Sequence, residues 1–360
     1  MCSRSTPERA IILSESTGKS AAAEILELRA GLLARAREFF AGRGIIEVET
    51  PLLSRGVVVD RHLDPPVCRY SPGADGAGET LYLQTSPEAA MKRLLAAGMG
   101  AIYQVAHAFR EGERGRLHNP EFTIIEWYRP GLDHHELMDE VGALVSLLLP
   151  EVSRDGGWEK LSYRQLFRDR LGLDPIECGV GELGGAAEKL GIEIEGEFDW
   201  NDRDAWLDLL LSTRLQDDLG TERPVFIYDY PASQAALARL CPAEPRLAER
   251  FELFIGGVEL CNGYHELLDA AEQRERFEEA NEQRQGDGKQ PLALDERLLE
   301  ALEAGLPECS GVALGFDRIV MLACGADSID EVLALPFEEV CGRGGSFPGA
   351  ACQRSGKPLA

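Results

Sequence analysis

The chain has 360 residues, 37 basic against 62 acidic, giving a net charge of −25, with 44% hydrophobic and 28% charged residues. Such a composition suits one large or two ordinary soluble domains, and no apolar run approaches a membrane span. A polyanion partner gains affinity from clustered Lys and Arg, so the acidic balance argues against tRNA. Nine singly scattered Cys without a CxxC pair argue against disulfides and a thiolate zinc site, and six His without HExxH-type spacing argue against a His-bound metal. The first residues lack the long apolar core of a signal peptide, which makes the cytoplasm the expected location.

Residues 1–20 are polar and aperiodic and read as a disordered leader. Between 20 and 43, Leu26, Leu33 and Phe40 recur every seven residues, with Ile25, Leu32, Ala36 and Phe39 filling the stripe. This predicts an amphipathic helix stopped by Gly42 and Gly44. Ile46 and Val48 then alternate with Glu47 and Glu49 ahead of Pro51, as in a short strand. Residues 54–80, rich in Gly, Pro and Asp, read as a loop. A strand from Leu81 leads into a helix over 89–97, capped by Ser86 or Thr85.

The centre of the chain is the stretch from Phe109 to Tyr128, FREGERGRLHNPEFTIIEWY. Strand-like runs flank a loop dense in Arg, Glu, Gly and His, which predicts a hairpin with Arg110 at its base and Phe122 on its far side. Arg offers a fork of donors that suits a phosphate, and an aromatic face can stack on a purine. An exposed salt-bridged hairpin would show the same residues. Further on, Asp133 and Glu136 read as a capping pair for a helix running to about residue 149. Residues 150–220 are helix-rich with no legible chemistry. A strand over 224–230 precedes Pro231-Ala232-Ser233-Gln234, and 250–260 reads as one strand bent at Gly256-Gly257. Two solvent-facing helices over 269–285 and 295–304 follow, then a Gly-rich strand end and a helix from about Asp317. Residues 341–360 read as a flexible tail.

Four segments in order carry a resemblance to a known family. Phe109 to Thr123 resembles motif 2 of the class II aminoacyl-tRNA synthetases. The run Gly44-Ile45-Ile46-Glu47-Val48-Glu49-Thr50-Pro51 resembles motif 1, and Gly311-Val312-Ala313-Leu314-Gly315-Phe316-Asp317-Arg318 resembles motif 3. Between them, Arg250 to Leu267 is similar to the lysyl branch. The match spans roughly residues 25–338. HNPEFT with EWYRP, Pro231-Ala232-Ser233-Gln234 and Cys309 to Gly315 favour the truncated lysyl paralogues that modify elongation factor P, the elongation factor P–(R)-β-lysine ligases. Only one helix precedes motif 1, where a full lysyl-tRNA synthetase would need about 100 residues or more for an anticodon-binding β-barrel.

The resemblance implies an α+β fold, the class II synthetase catalytic fold, with an antiparallel sheet flanked by helices over residues 21–340 and no anticodon-binding barrel. It implies a homodimer through motif 1. It also implies ATP and Mg²⁺ chemistry: an (R)-β-lysyl or lysyl adenylate is formed and passed to a lysine ε-amine of elongation factor P. A tRNA-charging lysyl enzyme and a non-catalytic amino-acid-binding paralogue are the rival readings. Arg110 and Arg318 would be catalytic, Arg110 on the α-phosphate and the substrate carboxylate, Arg318 on the γ-phosphate. ATP would also meet Glu111, Gly112, His118, Asn119, Phe122, Glu259, Leu260 and Gly315, with the adenine between Phe122 and Arg318. Ser86, Pro87, Glu88, Tyr128, Glu266 and Ala313 would receive the amino acid, and Glu252 and Glu259 the Mg²⁺. Seven residues part those two carboxylates, so a flat strand would set them on opposite faces unless a bulge at the glycines realigned them.

The sequence departs from the family pattern twice. Gly112 stands where motif 2 has a Glu, leaving Glu111 or Glu113 to take its ATP contact. Ala313 stands where lysyl-tRNA synthetases usually have Gly, and its methyl group would shift the pocket toward a substrate whose amino group lies one carbon further along, as in β-lysine.

Overall fold

The computed structural model describes residues 21–71, 78–152, 157–194, 196 and 198–341. The predicted leader at 1–20, and all but Cys341 of the predicted tail, lie outside them.

The chain opens with α1 (Ala21–Ala41), β1 (Ile46–Glu47), β2 (Leu53–Ser54), β3 (Val67–Tyr70), β4 (Glu79–Leu83) and α2 (Glu88–Ala96). The motif 2 hairpin is β5 (Ile102–Phe109) and β6 (Glu121–Pro130), followed by α3 (His134–Leu148), β7 (Glu159–Ser162), α4 (Tyr163–Leu171), α5 (Val180–Lys189) and α6 (Arg203–Leu210). Then come β8 (Val225–Pro231), β9 (Leu240–Cys241), β10 (Glu244–Ile255), β11 (Val258–His265), α7 (Ala270–Gly286), α8 (Glu296–Gly305), β12 (Cys309–Gly315), α9 (Phe316–Cys324) and α10 (Phe337–Cys341).

The large sheet runs β1-β5-β6-β12-β11-β10-β8-β7, with β9 paired to β10. It is antiparallel from β5 to β8 and parallel only at its two ends, β1 with β5 and β7 with β8. This is the α+β architecture expected. The helix α1 buries Leu32, Ala36, Phe39 and Phe40 against the sheet beside α3, and Phe40 stacks on Tyr103 at 4.2 Å. Leu26 departs from the predicted stripe and is exposed. The helix α3 starts at the Asp133/Glu136 capping box, as the sequence indicated.

Three expectations are corrected. The 54–80 loop contains β3 and the start of β4, which with β2 form a separate three-stranded sheet. Short edge strands broken by Pro and Gly carry too little alternation to be seen. The short strand expected in motif 1 is β1, two residues long, with Ile46 exposed and Ile45 buried just before it. The bent strand at 250–260 is two strands, β10 and β11, joined at Gly256-Gly257 with φ of +59° and +77°. Two successive positive φ values make a tight hairpin turn, which Gly alone adopts without strain. Finally, α7 and α8 are not simply solvent-facing. Gln273, Phe277 and Arg284 of α7 are buried, and α8 packs Leu298, Leu299 and Leu302 into the core cluster that includes Met91 and Leu95 of α2.

Candidate active site

A cleft of about 940 Å³ runs over one face of β6, β12, β11, β10 and β8. Period-2 alternation selects its floor: Glu126 and Tyr128 from β6, Gly311, Ala313 and Gly315 from β12, Asn262 and Tyr264 from β11, and Arg250 and Glu252 from β10. The hairpin loop supplies Arg110, Glu113, His118 and Asn119, and α2 supplies Glu88.

One end of the cleft is built for cations. Glu88, Glu126 and Glu266 are all buried, and Tyr128 donates its hydroxyl to Glu126 Oε1 at 2.8 Å. Glu126 Oε2 and Glu266 Oε1 are buried without a hydrogen-bond donor. Buried carboxylate oxygens left in this state call for a positive group. Lys92, itself fully buried, puts Nζ 2.5 Å from both Glu88 Oε1 and Glu266 Oε2. Burial, Glu88 and Glu266 push the Glu126 carboxyl well above its usual range. Burial also raises Glu266, with Lys92 opposing and Glu88 assisting. Were all three carboxyls ionised, Lys92 would cancel one charge of three, and the raised Glu126 and Glu266 carboxyls express that shortfall of positive charge. Gly311 keeps this end open, since a Cβ there would lie 2.3 Å from the Tyr128 ring and 2.4 Å from Glu266 Oε1.

The other end is built for anions. Arg110 Nε is buried without a partner, while its guanidinium lies 3.5 Å from Glu113 and 5.0 Å above the Phe122 ring centroid. Arg318, in the first turn of α9, donates to the Glu259 carbonyl at 2.7 Å and meets His118 Nε2 at 2.9 Å. The preceding residue, Asp317, is buried, takes the Thr123 N–H at 2.7 Å and pairs with Arg29. That network ties motif 3 to motif 2. Burial, with Arg318 and Arg110 nearby, lowers His118 to about 4, so its imidazole is neutral at pH 7 and can accept from Arg318. Asn119 Oδ1 is a further buried acceptor with no donor.

Glu252 and Glu259 both line the cleft from neighbouring strands. The hairpin turn brings them to one side, and the bulge lies between Leu253 and Phe254 rather than at the glycines. Burial and the Glu259 charge raise Glu252, against Arg250, and Tyr230 donates to it at 2.7 Å. Two carboxylates close enough to repel one another suit a hard divalent cation.

Most sequence-predicted residues meet in this one cleft. Leu260 lies in β11 and Gly315 caps α9, and both line it. Pro87, not Ser86 or Thr85, is the N-cap of α2, although Ser86 Oγ accepts the Glu88 N–H at 3.3 Å. Of the two candidates beside Gly112, Glu113 is buried in the cleft, whereas Glu111 is exposed and Gly112 turns the loop at φ +80°. Sequence reasoning missed Glu126 and Lys92. The first sits two residues before Tyr128 on the same strand face, and the second lies i+4 from Glu88. It also missed Asp204 and Asp208 of α6, which reach the cleft beside Ser233 and Gln234. Among the described residues, no helix is long and apolar enough to cross a membrane.

The model of the class II tRNA synthetases (D, K and N) matches residues 14–339. A protein of Vibrio parahaemolyticus named elongation factor P–(R)-β-lysine ligase is 48% identical over 318 residues, covering 88% of this chain and 97% of that protein. Its namesake in Vibrio cholerae is 50% identical over 312 residues, covering 87% and 95%. One in Klebsiella pneumoniae is 48% identical over 310 residues, covering 86% and 94%.

Proposed function

The chain belongs to the class II tRNA synthetase family of the D, K and N branch, and from that premise we propose that it activates (R)-β-lysine with ATP and transfers the acyl group to a lysine ε-amine of elongation factor P. The observation that carries this is the pocket of Glu88, Glu126 and Glu266 around Lys92, with two unpaired carboxylate oxygens facing a cleft that also holds the unpartnered Arg110 Nε. A diamino acid presents two ammonium groups to the first end and a carboxylate to the second.

In this mechanism a carboxylate oxygen of the amino acid attacks the α-phosphorus of ATP, and the bond to the leaving pyrophosphate breaks. Both reactants are anionic, so Arg110 holds the carboxylate and α-phosphate together while Arg318 holds the γ-phosphate near the α9 N-terminus. His118 lies beside Arg318 for the outer phosphates. Asn119 meets the purine, which stacks between Phe122 and Arg318. Glu252 and Glu259 would hold Mg²⁺, which when bound neutralises phosphate charge. In the second step the acceptor amine, freed of its proton, attacks the acyl carbonyl and AMP leaves. The net charge of −25 favours a protein acceptor over tRNA.

Ala313 and Gly311 share one face of β12, so the Ala313 methyl reaches the same pocket. Ala313→Gly should therefore improve α-lysine relative to β-lysine by roughly 10- to 200-fold in specificity constant, the worth of one methylene-sized group. Exchange kinetics with both isomers test this, and an unmoved ratio removes the support for β-lysine. Glu259→Gln should raise the Mg²⁺ requirement of exchange. An unchanged titration would put the metal elsewhere.

Ile46 of β1, and Leu53, Val67 and Tyr70 of the small sheet with Leu52 just before it, are exposed large apolar residues, which supports a symmetric dimer through motif 1. Sedimentation at micromolar concentration should give twice the 39.4 kDa chain mass, and a monomer would overturn the dimer.

A further inference from the structure

On the face of the sheet opposite the cleft, three buried ligand-type side chains converge: His134 from the α3 N-terminus, Glu249 from β10 and His265 from β11. Their ligand atoms all lie within 4.8 Å of one another. His265 Nδ1 is 2.8 Å and His134 Nδ1 3.8 Å from Glu249 Oε2. These separations straddle the value of about 3.3 Å expected between two ligands of a tetrahedral ion with bonds near 2.0–2.1 Å.

Both imidazoles are buried, and all four ring nitrogens lack an aligned hydrogen bond. The short His265–Glu249 approach pairs the two groups off the ideal N–H···O line. Buried ring nitrogens in that state point to a missing partner. Charge points the same way. Asp229 Oδ1 lies 3.4 Å from His134 Nε2, and Glu308 Oε1 lies 3.4 Å from His265 Nε2. Arg239 is the one guanidinium of the cluster, donating to Glu249 at 2.7 Å and Glu308 at 2.8 Å. Glu308 is mostly exposed to solvent, so Glu249 and Asp229 against Arg239 leave one negative charge beside the two imidazoles for a cation to meet. Asp229 also holds φ at +57°, a conformation that costs a non-glycine residue energy and is retained where surroundings impose it.

We propose that His134, Glu249 and His265 form a zinc site, with Asp229 set against the other ring nitrogen of His134 as a second-layer carboxylate. Two imidazoles and a carboxylate are a donor set that Zn²⁺ takes at about 2.0–2.2 Å, with a water completing the fourth position. Arg239 then serves as the outer group that orients Glu249. The ion would pin the start of α3 to β8, β10 and β11, behind the strands that carry Glu252 and Glu266 into the cleft. None of the three ligands lines that cleft, so the inference is independent of the proposed reaction.

The test uses the full chain, stripped with a chelator and free of ATP. Cobalt(II) should add one equivalent with the intense visible bands of a tetrahedral site, zinc should displace it, and either ion should raise the melting temperature. His134→Gln should weaken binding by more than the roughly 10–100-fold that outer-shell changes cost, while staying folded by circular dichroism. His265→Asn should do the same if His134→Gln unfolds. Glu259→Gln should retain the cobalt bands, separating this site from the Mg²⁺ carboxylates. Absent bands and an unmoved melting temperature in the parent would overturn the proposal. So would cobalt bands that survive His134→Gln, or histidine NMR showing both rings as imidazolium at pH 7 in the metal-free protein with no response to zinc.

Discussion

Arg318→Ala should abolish amino-acid-dependent ATP–pyrophosphate exchange, with a fall of about 10³–10⁵-fold, the range seen when an arginine stabilising phosphoryl charge is lost. The geometry makes this side chain hard to replace. Its guanidinium is held by the Glu259 carbonyl, by His118 Nε2 and by the Leu117 carbonyl at 3.4 Å. Its neighbour Asp317 is fixed by Thr123 and Arg29. The donor is thus oriented before ATP arrives and needs no reorganisation in the transition state. A second readout follows from His118. Arg318 is among the groups that lower its pKa to about 4, after burial, so removing the cation should move His118 upward, measurable by NMR. Near-normal exchange would sink the role of Arg318. A silent His118 with exchange lost would mean the loop had rearranged.

Much of this site was legible because motif residues lie where local pattern and chemistry coincide. Arg110 and Phe122 sit at the two ends of a hairpin whose strands alternate, and Asp317 and Arg318 open a helix after a strand. Legibility failed where long-range pairing decides the outcome. Glu252 and Glu259 looked opposed because Gly256-Gly257 was read as a bend, whereas consecutive positive φ values reverse the chain and set the strands side by side. His134, Glu249 and His265 have no spacing signal, since three elements bring them together. The helices over 150–220 looked free of chemistry because Asp204 and Asp208 reach the cleft only after α6 packs against the turn at Ser233 and Gln234. The three-stranded sheet was hidden by strands of two to five residues.

Lys92→Met should damage both stability and amino-acid binding. Lys92 is the one cation among Glu88, Glu126 and Glu266, 2.5 Å from two of them. Burial alone would lower its pKa, but Glu266 and Glu88 overcome that and raise it, so it is charged. Met keeps the apolar stem and removes the charge. Breaking a buried pair this way costs about 3–5 kcal/mol, because uncompensated charge remains. The loss should depend on pH in a definite direction. The Glu126 and Glu266 carboxyls are already raised above the ordinary 4.5, and without Lys92 they rise further. A carboxyl whose folded pKa exceeds its unfolded value favours folding below the unfolded value and loses that advantage as pH rises through the folded one. The stability gap between parent and variant should therefore be smallest near pH 4.5 and widen toward pH 8. Binding follows the same carboxyls. A diammonium substrate displaces their protons, so KM in the parent should fall as pH rises, and in the variant the fall should shift to higher pH. Lys92→Arg should not rescue, since a larger fork cannot occupy a fully buried ammonium site. Denaturant melts across pH and the KM–pH profile of exchange measure the two effects separately. If Lys92→Met melts like the parent at pH 8 with an unmoved KM profile, Lys92 does not set the charge of the pocket.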